Sequence, residues 1–437
     1  MRMLSKMKKI INTSDKDFDS QFNELLNIDR NITDNVEDVV RSIVQDVKSK
    51  GDNSLVEYTN KFDKNSLSAS EMLVSEEEID NLVNDLPSKL VKAIDLAYSR
   101  IESYHKKQIP SDLSYEDEIG AKLGYIWNPI STVGIYVPGG TASYPSTVLM
   151  NAIPAKVAGV EDITMVSPST DSKMNPSILY AARKVGINRI YRIGGAQAIS
   201  ALAFGTETIK PVDKIVGPGN IYVSEAKRQV FGDVGIDMFA GPSEIVIIAD
   251  KENNPGIIAS DLIAQAEHDV SAQSILITDD ASLADKVLNS IDDQISSLSR
   301  KDIASKSWNN NGAIIIVSGI EESIKLANKL APEHLELAVK DANNYIKEIK
   351  NAGAIFIGNN TPEAIGDYIA GPSHVLPTSK SARFSSGLSV YDFIKKTSVI
   401  EFSEESLNKI GESAVEIAAN EGLDGHARSI EYRLSKK

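Results

Sequence analysis

From residue 131 onward the sequence predicts an α/β protein with two doubly wound, mainly parallel sheets. Short β-branched runs alternate there with helical stretches, the pattern of βαβ units whose sheets are covered on both faces. The runs are too many for one such sheet of ordinary size, and 437 residues are too many for one core. Before residue 131 the chain reads as helical and charged, and after Phe393 it reverts to helix.

Taken in order, residues 35–49 carry Val36, Val39, Val40, Ile43, Val44 and Val47 at helical spacing. Residues 76–105 read as one long helix with an interruption at Pro87. Strands are expected at 132–137, 162–166, 189–193, 213–216, 244–249, 274–278, 313–317 and 354–357, with helices at 146–158, 176–185 and 221–230 in the gaps. Asn253-Asn254-Pro255 starts another helix, because proline suits a first position whose N–H would go unpaired anyway. The tail carries a helix over 404–419 and ends in Lys436-Lys437. No tandem repeat or low-complexity segment interrupts this series.

Composition narrows the chemistry. A net charge of −15 argues against nucleic acid or an anionic membrane as the main partner. The absence of cysteine excludes disulfides, thiolate metal sites and cysteine nucleophiles. No apolar run is long enough to span a bilayer. Residues 1–11 are basic but turn polar at Asn12, without a signal-peptide core or cleavage site, so a cytoplasmic protein is expected.

Ligands of parallel sheets bind beyond the carboxyl ends of the strands. Three glycine-rich turns fall there: Tyr136-Val-Pro-Gly-Gly140, Gly194-Gly-Ala-Gln197 and Gly217-Pro-Gly-Asn220. The last two open helices, and all three would present free N–H groups to a phosphate. None is a G-x-G-x-x-G fingerprint, no acidic ribose partner can be placed, and each alone reads more readily as a tight βα turn, the ligand reading resting on the three together.

Acid, base and metal ligands are sought further on. If the helix from Pro255 continues, Asp261, Gln265 and His268 share one stripe beside Ile258, Leu262 and Ala266. That supplies half of a metal site. Glu333-His334 sets a carboxylate beside an imidazole at the start of a strand-like run. Neighbours on a strand point to opposite faces, so both serve one site only if the backbone turns; otherwise they are a solvated loop pair. Asp367 and His374 lie in a Gly/Pro-punctuated loop, and His426 follows Glu421-Gly-Leu-Asp-Gly, where it could equally satisfy a helix end. His105, beside Lys106 and Lys107, reads as a surface residue. Gln265, His268, Asp367 and His426 together form a sulfur-free nitrogen and oxygen set acceptable to zinc.

In this order, these motifs, with Gly241-Pro-Ser243-Glu-Ile-Val, Ala331-Pro-Glu333-His334-Leu-Glu-Leu and His374-Val-Leu-Pro-Thr378, resemble the histidinol dehydrogenase family over nearly the whole chain. The resemblance implies two Rossmann-like (incomplete doubly wound) domains with small helical N- and C-terminal elements. It implies an N-terminal arm at 1–25, a large α/β domain of 26–129 with 242–381 for the zinc and acid/base residues, and a second domain at 130–241 for NAD. The tail, 382–437, would reach the partner subunit of a homodimer with shared sites. The implied reaction is the zinc-dependent, NAD-linked four-electron oxidation of L-histidinol to L-histidine through histidinaldehyde. It implies one zinc ion per site on Gln265, His268, Asp367 and His426, and Glu333 and His334 as the acid/base pair. Tyr136, Gln197 and Asn220 would contact NAD, and Ser243, His334 and Glu421 would join the metal ligands around the substrate. One departure stands out: Ser379-Lys380-Ser381 occupies a loop where the family usually carries glycines.

The chemistry agrees. Glu333 can activate water and His334 can accept protons near neutral pH. Without cysteine the aldehyde must be oxidised as its hydrate. Two other classes compete: a zinc hydrolase with Glu333 as general base, which leaves Tyr136, Gln197 and Asn220 without a role, and a non-catalytic nucleotide-binding protein, against which the intact acid/base residues argue.

Overall fold

The computed structural model describes residues 10–28, 36–63, 65–139, 144–169, 173–239 and 241–434. Gly140, residues 1–9 of the expected arm, residue 35 and residues 435–437 lie outside them. The strands are β1 (Ile10–Asn12), β2 (Leu113–Glu116), β3 (Lys122–Pro129), β4 (Thr132–Tyr136), β5 (Asp162–Val166), β6 (Arg189–Tyr191) and β7 (Lys214–Val216). They continue as β8 (Gly235–Ile236), β9 (Glu244–Ala249), β10 (Gln273–Thr278), β11 (Ala313–Ile316), β12 (His334–Ala338), β13 (Ala354–Ile357) and β14 (Ile394–Glu401).

Two of the three sheets are wholly parallel, as the β-branched runs predict. One has the order β6-β5-β4-β7-β8 and the other β1-β11-β10-β9-β12-β13. Leaving aside the edge strand β1, both follow the same order, 3-2-1-4-5, an incomplete version of the doubly wound dinucleotide fold. β9 and β10 are buried along their full length, which suits central strands covered on both faces.

The domain grouping needs correction. Val40, Val44 and Val47 of the helix Val36–Lys50 pack with Ala198, Ile199 and Leu202 over the five-stranded sheet. Ile94, Ala97 and Ile101 of the helix Ser88–Lys106 pack with Met150 and Ile153 on its other face. The helical part of 26–129 therefore covers the sheet of 130–241, not the 242–381 unit. Part of the expected arm joins the 242–381 unit instead: β1 pairs with β11, and Phe22 and Leu25 pack beneath Val246 and Ile248.

The interruption expected at Pro87 is present: residues 76–105 form two helices, Glu76–Val83 and Ser88–Lys106, because Pro87 cannot continue a helix and takes the N-cap position of the second. Two local expectations change. β2, β3 and β14 form an antiparallel sheet where helix was expected, and its strands lie largely exposed. His105 is fully buried rather than on the surface, its Nδ1–H donating to the Ile101 carbonyl at 2.8 Å. No helix among the described residues is long and apolar enough to cross a membrane.

Hydrogen bonds bridge the switch-point crevice between the carboxyl ends of β9 and β12. Asn253 Nδ2 donates to the Ala338 carbonyl at 2.6 Å, and Asp250 Oδ2 accepts the Lys340 N–H at 2.8 Å. The corresponding ends of β4 and β7 open into a cavity.

Candidate active site

Pro138 and Pro218, beyond the carboxyl ends of β4 and β7, face Ser243, Glu333 and His334 at the amino ends of β9 and β12. Together with His268, Asp367 and His374 they line a cavity of about 240 Å³. The carboxyl-end rule thus holds for one sheet, and the other offers its opposite end.

The turn that Glu333 and His334 require is present. Ala331 takes a left-handed φ of 48° at the end of the helix Ile320–Leu330, and β12 begins at His334. Both side chains are buried against the cavity. The Glu244 N–H donates to Glu333 Oε2 at 2.9 Å, and the Glu244 carbonyl lies 3.0 Å from His334 Nδ1. A carbonyl only accepts, so Nδ1 carries the hydrogen and Nε2 keeps its lone pair. Burial, before any charged neighbour, holds Glu333 well above the usual carboxylate range and brings His334 down to about 4.

The helix Pro255–Ala266 stops short of the predicted stripe. Gln265 is its last-turn residue and fully buried, whereas His268 lies just beyond. His268 Nε2 is 3.9 Å from Asp367 Oδ2, and Gln265 Oε1 turns to His334 Nδ1 at 3.1 Å. Gln265, His268 and Asp367 therefore gather around His334, while Glu421 and His426 are exposed and do not line the cavity. Nitrogen and oxygen donors without sulfur suit zinc.

Three further residues belong here. His374 donates from Nδ1 to the Asp367 carbonyl at 3.0 Å, which fixes the loop around that acid. Glu363 lies four residues before Asp367 on the helix Glu363–Tyr368, so both reach the same side; its Oε1 is 3.6 Å from His334 Nε2. Burial and then Asp367 push the Glu363 carboxyl up to about 9. Ligand atoms of His334, Glu363 and Asp367 lie within 4.8 Å of one another. Glu244, the third, orders the acid/base pair through its backbone. The i, i+4 spacing of Glu363 and Asp367 was a usable signal; nothing in the sequence singled out Glu244.

The loop lacking glycines reaches the site. Ser379 N–H donates to Glu244 Oε1 at 3.1 Å, and Ser379 and Lys380 take left-handed φ values of 52° and 64°. The backbone keeps the shape glycine favours, and the side chains bear the strain.

Pro138 also lines a neighbouring cavity of about 610 Å³ that holds Tyr136, Gln197 and Asn220 together. Gln197 is buried with both amide atoms unpartnered among the described residues, as a ligand-facing amide would be. The helix Gly195–Phe204 has no side-chain cap, and the Gly195 N–H donates to the Tyr136 hydroxyl at 3.2 Å. Gly194 is required, since a Cβ there would stand 2.5 Å from Pro168 Cβ. The helix Ile221–Val230 differs from expectation: Asn220 Oδ1 accepts the N–H groups of Tyr222 and Val223, so those donors are not open to a phosphate. Buried Lys227 donates to the Gly217 carbonyl at 3.1 Å and pairs with Asp237, which accepts the Gly217 N–H at 2.8 Å. This clamps the turn at the cavity floor.

Residues 27–434 match the sequence profile of histidinol dehydrogenase. A histidinol dehydrogenase of Brucella abortus (strain 2308) is 53% identical over 429 residues, covering 98% of this chain and 100% of the relative. One from Rhizobium meliloti (strain 1021) is 52% identical over 425 residues, covering 97% and 98%. The crystal structure of histidinol dehydrogenase from Elizabethkingia anophelis superposes with a TM-score of 0.93 at 38% identity, covering 98% of each chain.

Proposed function

The chain belongs to the histidinol dehydrogenase family and is an oxidoreductase of that family, and from this premise we propose that it oxidises L-histidinol to L-histidine in two hydride removals, as a cytoplasmic enzyme of histidine biosynthesis. One observation carries the reading: the free Nε2 of His334 and the carboxyl of Glu333 share a cavity that meets the nucleotide-sized one at Pro138.

His334 takes the hydroxyl proton at Nε2 while its Nδ1–H stays on the Glu244 carbonyl. Glu333, steadied at Oε2 by the Glu244 N–H, then draws a proton from the water that adds to the aldehyde. As the hydrate forms, His334 returns its proton to the former carbonyl oxygen, and it is then free to remove a hydroxyl proton of that hydrate. Tyr136, Gln197 and Asn220 would hold NAD⁺, which would supply the hydride acceptor. Gln265, His268 and Asp367, with His426 of the partner subunit, would hold one zinc ion, which would supply a Lewis-acid anchor for the substrate. Ser243 and Glu421 of the partner subunit complete the substrate's surroundings in a homodimer with shared sites. A zinc hydrolase would leave the unpartnered amide of Gln197 and its cavity unused.

The test is the absorbance of reduced nicotinamide with purified protein, zinc, NAD⁺ and L-histidinol. Two equivalents of NADH per histidine formed support the reading, and histidinol left unoxidised overturns it.

A further inference from the structure

In a sheet of the order β6-β5-β4-β7-β8, a dinucleotide lies across the ends of β4 and β7. An acid at the end of the next strand usually accepts the ribose hydroxyls. That strand here is β5, and it ends in Ser167-Pro168-Ser169, without an acid.

Asp63 stands in that place. It closes the helix Asp52–Asp63 and lines the larger cavity beside Tyr136, Pro168 and Gln197. Two residues on, Asn65 donates from Nδ2 to the Ser169 carbonyl at 3.2 Å, fastening this segment to the end of β5. Asp63 accepts a hydrogen bond from the backbone of Gly194, but its Oδ2 is buried without a partner among the described residues. Burial pushes the carboxyl up to about 6. An acceptor left bare against a cavity is costly unless a ligand supplies the donor. Val39 and Phe62 complete that wall; both are apolar and exposed. A flat apolar surface beside an acid suits a purine attached to a diol.

We propose that Asp63 accepts the hydroxyl pair of the adenosine ribose, with Val39 and Phe62 against the purine, and so selects a dinucleotide that lacks a 2′-phosphate. The proposal rests on the reading that NAD occupies this cavity. A 2′-phosphate would set a second anion against the carboxylate and remove a hydroxyl donor.

Titration calorimetry of the zinc-loaded, full-length protein tests this without turnover, using ADP-ribose and its 2′-phosphate as probes. The unaltered protein should favour ADP-ribose by about tenfold or more, the scale of one charge-assisted hydrogen bond. Asp63→Asn, near in shape, and Asp63→Ser should each weaken ADP-ribose by about tenfold and narrow the gap to the phosphorylated probe. Thermal unfolding confirms that each variant is folded. Gln197→Ala separates the two ideas. If it weakens ADP-ribose binding and neither Asp63 variant does, the Asp63 assignment is wrong and the cavity reading stands. If all three bind both probes as the parent does, the cavity is not the nucleotide site and both fall.

Discussion

The carbonyl oxygen of Glu244 accepts the Nδ1–H of His334 at 3.0 Å, and this bond decides which nitrogen can act as a base. The N–H of the same residue holds Glu333. One residue at the amino end of β9 thus sets the tautomer of His334 and the orientation of the Glu333 carboxyl, and its own carboxylate holds the 379 loop in place.

The two members of the pair should fail differently. His334→Asn should slow oxidation of histidinol and of histidinaldehyde alike, by roughly 10²–10⁴-fold. Glu333→Gln keeps an acceptor for the Glu244 N–H but cannot take a proton, so aldehyde oxidation should suffer more than alcohol oxidation. Single-turnover rates from each substrate check this, and a parental aldehyde rate in Glu333→Gln counts against the assignment.

Metal removal should abolish turnover. Dialysis against a strong chelator is expected to leave a folded but inactive protein, and zinc or manganese to restore it. Full activity in a preparation shown metal-free by elemental analysis would refute the metal role.

Subunit mixing addresses the exposed His426. His268→Ala and His426→Ala should each be inactive alone. After unfolding, mixing and refolding, a hybrid dimer with shared sites carries both lesions in one site and leaves the other intact, so activity returns. Hybrids demonstrated by mass spectrometry but without activity would show that each site is built from one chain.

Acid should destabilise the protein partly through His105. Burial lowers its affinity for a proton from the ordinary pKa of 6.5. Below pH 6.5 the unfolded chain therefore binds more protons than the native one, and stability falls as pH drops. His334 and His374 act in the same direction. His105→Gln should flatten the slope of unfolding free energy between pH 6.5 and about 5, measured by urea titration. An unchanged slope would mean that His105 is protonated in the native state.

Much of this was legible in the sequence because burial on two faces writes itself as unbroken apolar runs, as in β9 and β10. β2 and β14, exposed along nearly their whole length, leave no such mark. The order of Gly turns, Gln265, His268, Glu333 and His334 carried the family resemblance. His105 misled because two lysines follow it, while its own side of the helix packs inward. Glu244 and Asp63 stayed hidden for a different reason: one acts through its backbone and the other substitutes for an acid roughly a hundred residues away, as is usual where function depends on tertiary neighbours.

The lacing of Asp250 and Asn253 across β9 and β12 has a kinetic consequence. Of two sheets with one strand order, the one whose crevice opens into the larger cavity among the described residues is that of β4 and β7, so a dinucleotide would find its berth there. Two hydrides must then leave by the same berth in succession. The first reduced nucleotide has to depart and a second oxidised one arrive while the half-oxidised substrate stays put, gripped from the opposite wall. The retention time of the aldehyde must therefore exceed the exchange time of the cofactor, and an exchange made slower should be seen as aldehyde escaping into solution.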